Sequence, residues 1–145
     1  MAPAHACRVA QARRDGGARP LSERTVRAVR GATSVETDTS EAILESTTEL
    51  LTEVLARNAL ETDDLISIIF TCTPDLTAEF PAVAAREAGL TTIPLLCASE
   101  IPVPGSLGMC IRVMLHCTVP RDREIHHVYL REARRLRPDL QQDAQ

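Results

Sequence analysis

Leu65-Ile66-Ser67-Ile68-Ile69-Phe70 is a short, nearly continuous apolar run. Such a run reads as a strand buried on both faces, which belongs at the centre of a sheet. Thr62-Asp63-Asp64 breaks the pattern just before it. Upstream, Ile43, Leu44, Thr47, Leu50, Leu51, Val54 and Leu55 follow the i, i+3, i+4, i+7 rule of an amphipathic helix. Asp38-Thr39-Ser40-Glu41 supplies cap residues and a first-turn acid, so the spacing predicts a helix over 39–57. Before it, the β-branched residues Thr25, Val26, Val29, Thr33 and Val35 predict a first strand within Arg24–Val35 that ends near Gly31.

Downstream of the run, Thr77 to Ala88 reads as a shorter helix closed by Gly89, with Pro81 tolerable only in its first turn. Thr92 to Cys97 returns to a strand. Pro102, Pro104, Gly105 and Gly108 mark a loop, and Ile111 to Val119 is another β-rich run. His127 to Leu136 is ambiguous: Val-Tyr-Leu suits a strand, whereas Arg131-Glu132-Ala133-Arg134-Arg135 suits a helix. The order is β-α-β-α-β-β. Residues 1–23, rich in Ala, Arg, Gly and Pro without periodicity, are predicted to be a disordered, dispensable extension, with 24–140 one domain and 141–145 a short tail.

Composition narrows the function classes. With 16 basic against 20 acidic side chains, the chain has no general attraction for nucleic acid or an anionic membrane surface. Phe70, Phe80 and Tyr129 are the only aromatic residues, too few for a base-stacking platform. Cys7, Cys72, Cys97, Cys110 and Cys117 form no CxxC pair and have no matched His spacing, so no zinc site or redox motif is suggested. Free thiols, no 18-residue apolar run and no secretory-type apolar segment lead us to expect a cytoplasmic protein.

The residues by themselves offer no nucleophile-base pair, no Gly-rich phosphate cradle and no metal cluster. They do place Arg30 at the end of the first strand and Arg112 in an otherwise apolar strand. On spacing alone, both read as exposed edge positions. Every basic side chain is Arg, so any carboxylate recognition must use guanidinium forks.

Arg27-Ala-Val-Arg30-Gly-Ala-Thr33, Thr73-Pro-Asp-Leu76, Phe80-Pro81, Cys97-Ala-Ser-Glu100, Cys110-Ile-Arg112-Val-Met, His127-Val-Tyr129-Leu and Leu136-Arg137-Pro-Asp-Leu140 occur in that order. Together they resemble the monofunctional trimeric chorismate mutases over about residues 24–140. The resemblance implies an α+β fold: a five-stranded mixed sheet with helices on one face, packed as a homotrimeric pseudo-α/β barrel with sites between subunits. It also implies rearrangement of chorismate to prephenate, in phenylalanine and tyrosine biosynthesis, without cofactor or metal. Carried over motif by motif, it implies Arg112 as the cation at the ether oxygen, where negative charge develops as the carbon–oxygen bond breaks. Arg30 with Tyr129 would grip the enolpyruvyl carboxylate, and Glu100 with Cys97 the ring hydroxyl. Phe80, Arg86, Leu136 and Arg137 would complete the wall and mouth.

Two positions depart from the family pattern. Val83 stands where a Lys is usual and Leu96 where a Thr is usual, and loss of the cation weakens capture of the ring carboxylate at the site edge. A competing reading is an imine-hydrolysing or small-molecule-binding trimer of similar barrel type, and another is a non-catalytic oligomeric module. Glu100 three residues after Cys97, followed by Arg112, discriminates for the mutase.

Overall fold

A computed structural model describes residues 23–140. The expectations for residues 1–22 and 141–145 lie outside the described residues. Glu23, the last residue of the predicted extension, is described, and its carbonyl accepts a hydrogen bond from the Arg121 N–H (3.0 Å).

Five strands, β1 (Arg24–Ser34), β2 (Leu65–Cys72), β3 (Leu95–Ser99), β4 (Cys110–Pro120) and β5 (Val128–Tyr129), form one sheet in the order β3-β2-β4-β1-β5. Two helices, α1 (Ser40–Arg57) and α2 (Ala82–Glu87), complete the fold. The β1–β4 and β2–β4 pairs are antiparallel, whereas β2–β3 and β1–β5 are parallel, so the sheet is mixed. Both helices pack on one face: Leu50 and Val54 of α1 and Ala82 and Ala85 of α2 share a core with Val29, Phe70, Val113 and Leu115 of the sheet.

The helix α1 matches its predicted span, with Thr39 as N-cap accepting from the Ala42 N–H (3.2 Å). Of its predicted stripe, Ile43, Thr47, Leu50, Leu51 and Val54 are buried and Leu44 and Leu55 half-buried, with Ser46 buried beside them. Strand β1 does not end near Gly31 but continues to Ser34. Gly31 is a point of close approach: a Cβ there would stand 2.9 Å from Val113 Cγ1 and 3.1 Å from both Leu50 and Val54. The missing side chain lets α1 settle on the sheet and does not terminate the strand.

Four other expectations are corrected. The second helix begins at Ala82, not Thr77, because the Asp38 carboxylate takes the Thr77 and Ala78 N–H groups (2.9 and 3.0 Å) and Pro81 sits at the N-cap. Gly89, at φ +92°, follows its last turn. Strand β3 starts at Leu95, after Pro94, which has no N–H to give a ladder. The apolar run at β2 is interior but not central, since β4 takes the middle of the sheet. Nor is the run buried on both faces within this chain, because Ile66 remains 42% exposed. The ambiguous tract resolves into both readings, the two-residue β5 followed by a 3-10 turn over Arg131–Arg135.

Candidate active site

Register brings the site together. Arg112 of β4 lies opposite Thr71 of β2 and Ala32 of β1, and Ala32 lies opposite Tyr129 of β5. Directly opposed residues project from the same face of a sheet. The row Thr71, Arg112, Ala32, Tyr129 therefore crosses four strands on one face. Val113, the residue after Arg112, belongs to the helix-packed core, so this row stands on the face away from the helices. Arg30 opposes Met114 one pleat further along that outer face.

Glu100, just beyond β3, reaches this row. Its N–H donates to the Cys72 carbonyl (2.8 Å), and its Oε1 accepts the Thr71 hydroxyl (2.6 Å) and lies 2.9 Å from Arg112 Nε. The Arg112 Nε–H is close to this oxygen but not aligned for a hydrogen bond, so the pair is held by charge. Cys110 lies under Arg112, and burial pushes its thiol up to about 11 against the pull of that guanidinium. Burial likewise pushes Cys72 up to about 12, with Cys97 and Glu100 adding to it. Both thiols therefore stay protonated near neutrality.

Tyr129 is only 6% exposed, packed with Ala32, Cys110 and Ala133, with Leu136 at the edge of the cluster. Its hydroxyl has no hydrogen-bond partner among the described residues. An unsatisfied buried hydroxyl costs about 1–3 kcal/mol, which suits a group meant to bind something else. Beside it, Arg137 holds Asp139 in a two-pronged contact (Nε to Oδ1 3.0 Å, Nη2 to Oδ2 2.8 Å). These bonds hold the Asp139 carboxyl below its usual range, and the Arg30 charge contributes in the same direction. Five predicted residues, Arg30, Glu100, Arg112, Tyr129 and Arg137, thus gather on the outer face, with Leu136 at their margin.

The other predicted residues do not join them. Cys97 opposes Phe70, a core residue under the helices, and so faces the opposite side of the sheet from Arg112. A cavity of ≈400 Å³ there is lined by Cys72, Thr73, Leu76, Phe80 and Cys97. Phe80 is 66% exposed at its rim, and Arg86 is exposed on α2. Val83 is half-buried on α2, while Leu96 is 60% exposed on the outer face. Thr71 and Asp139 were not picked out by sequence reasoning. Asp139 falls inside a quoted motif, two residues after Arg137, whereas Thr71 is marked only by its pairing across the sheet. Among the described residues no group of His, Cys, Asp and Glu could hold a metal ion, and no helix is long and apolar enough to cross a membrane.

The sequence profile of the family described as chorismate mutase type I matches residues 26–140. The chain is 53% identical to the chorismate mutase AroH of Thermus thermophilus over 119 residues, covering 80% of this chain and 97% of that protein. It is 45% identical to the chorismate mutase AroH of Bacillus subtilis over 118 residues, 79% of this chain and 92% of that one. A solved structure of a chorismate mutase from Clostridium thermocellum superposes with a TM-score of 0.73 at 52% identity, covering 74% of this chain and 97% of the other. Sequence profile, relatives and fold agree: this chain belongs to the chorismate mutase type I family.

Proposed function

We propose that the chain rearranges chorismate to prephenate, in a cytoplasmic homotrimer whose sites are each built from two subunits. Isomerisation of chorismate follows from family membership. The observation that carries the shared site is the division of its residues between the two faces of one sheet. Arg30, Glu100, Arg112 and Tyr129 belong to the outer face, while Phe80, Arg86 and Cys97 belong to the helix side. A single small substrate cannot touch both sides of a sheet, so the two sets meet only when a second subunit brings its Phe80 and Cys97 to the outer face of the first. The exposure of Val26 (61%), Ile66 (42%) and Leu96 (60%) supports a trimer covering that face, since apolar surface of this kind marks an interaction site.

The chemistry asks little beyond placement. A Claisen rearrangement breaks one carbon–oxygen bond and forms one carbon–carbon bond with no proton or electron transferred, so holding the compact diaxial conformer supplies much of the acceleration. Arg30 and Tyr129 grip the enolpyruvyl carboxylate, the tyrosine through the hydroxyl that has no partner among the described residues. Glu100, with Cys97 of the other subunit, holds the ring hydroxyl. Arg137 and Arg86 collect carboxylates at the mouth, and Leu136 and Phe80 wall it. Arg112 opposes the charge that grows on the ether oxygen, an interaction stronger in the transition state than in the ground state.

The test is subunit mixing, read by loss of chorismate absorbance and identification of prephenate. Arg86→Ala and Arg112→Ala proteins, each inactive alone, should regain up to about a quarter of wild-type activity when co-refolded, because some interfaces then carry neither change. No recovery in mixed trimers, with both single variants folded, rules out the shared site.

A further inference from the structure

We infer that Thr71 is a positioning residue for the reaction, acting through Glu100; this rests on Glu100 being a substrate-binding group as proposed above. Thr71 lies opposite Arg112 on one side and Ala98 on the other, so its side chain stands between β4 and the chain leaving β3. Its hydroxyl donates to Glu100 Oε1 at 2.6 Å, and Arg112 Nε faces that same oxygen at 2.9 Å. The two contacts differ in kind. The guanidinium contact is not aligned as a hydrogen bond and attracts the carboxylate without directing it. The threonine contact is directional, and a short O–H to carboxylate bond is among the stronger ones.

The Glu100 main chain is already tied through its N–H to the carbonyl of Cys72, the residue after Thr71. What remains is rotation of the carboxylate, and the Thr71 hydroxyl removes it. With Oε1 committed to Thr71 and Arg112, Oε2 becomes the oxygen assigned to the substrate hydroxyl. Thr71 has a second effect in the same sense: by engaging Oε1 it opposes rotation of both carboxylate oxygens onto the Arg112 fork, which would spend the cation on Glu100.

The experiment is a kinetic double-mutant cycle on the assembled enzyme, with Thr71→Val, Thr71→Ser, Glu100→Ala and the double variant Thr71→Val/Glu100→Ala. Valine keeps the shape and removes the hydroxyl. Thr71→Val should raise KM for chorismate about tenfold, the worth of one charge-assisted hydrogen bond, with a smaller fall in kcat. Thr71→Ser should restore KM to within about twofold, and on the Glu100→Ala background the Thr71→Val penalty should vanish. Thermal unfolding of each variant separates kinetic from structural loss, and Thr71→Ala replaces Thr71→Val if the latter does not assemble. A Thr71→Ser protein as impaired as Thr71→Val, or an undiminished penalty on the Glu100→Ala background, would make Thr71 a packing residue and overturn the inference. If Glu100→Ala is impaired and Thr71→Val is not, only the positioning role fails. If Glu100→Ala itself keeps wild-type KM, the site assignment beneath it has failed.

Discussion

The two faces of the sheet are made by the same strands and end in opposite conditions. Along β4, Ile111, Val113, Leu115, Cys117 and Val119 are buried, while Arg112, Met114, His116 and Thr118 between them are only half-buried. On the inner face the chain satisfies itself, as α1 and α2 close over Phe70, Val113 and the gap left by Gly31. On the outer face the described residues leave a tyrosine hydroxyl without a partner, a charge pair without hydrogen-bond alignment and exposed apolar side chains. The inner face serves stability. The outer face holds groups that are costly for the isolated chain, and such costs are tolerated where function requires them.

This contrast is tested most severely by truncating one residue on each side. Phe70→Ala, which empties a fully buried inner-face position, should cost about 3–5 kcal/mol in denaturant unfolding at fixed protein concentration. A cost below about 1 kcal/mol would mean that the inner core is not what holds the fold. Arg112→Ala should do the reverse, leaving unfolding little changed while kcat falls about 10²–10³-fold, roughly 3–4 kcal/mol of transition-state stabilisation. Arg112→Lys should rescue poorly, since a point charge does not replace the fork. Near-normal kcat with only a raised KM would reduce Arg112 to a substrate clamp and remove the electrostatic mechanism.

The smallest effect compares one thiol on each face, Cys72 opposite Ile111 on the helix side and Cys110 beside Tyr129 on the outer side. Both thiols are raised by burial, so the folded state keeps protons that the unfolded chain releases above about pH 9. The stability they contribute is intact below that pH and is lost as pH climbs toward 11 and 12, by at most about 1.4 kcal/mol per pH unit for each thiol. The urea midpoint should therefore drop between pH 9 and 11, and a Cys72→Ala/Cys110→Ala protein should show a flatter profile. An identical profile in that variant would assign the alkaline limb to other groups.

Much of this is legible in the sequence. The stripe on α1, the alternation of β4 and the succession of motifs each rest on local periodicity or local chemistry, which a chain carries in its order of residues. The start of α2 was not legible, because Asp38, far upstream, takes the N–H groups of Thr77 and Ala78. Gly31 was misread for a similar reason: its meaning depends on Leu50 and Val54, which reach it only after α1 has docked.

The candidate site divides the same way. Sequence by itself determined which side chains are candidates for the chemistry, since Arg112, Glu100, Arg30 and Tyr129 stand in the quoted motifs. Only the tertiary structure decided their company: that Glu100 meets Thr71 and Arg112, that Tyr129 lies in the same row, and that Cys97 and Phe80 lie behind the sheet. The physical reason is that residue type is a local property. Which residues oppose one another is set by strand register and by which face the helices cover, and both depend on pairings between segments far apart in the chain.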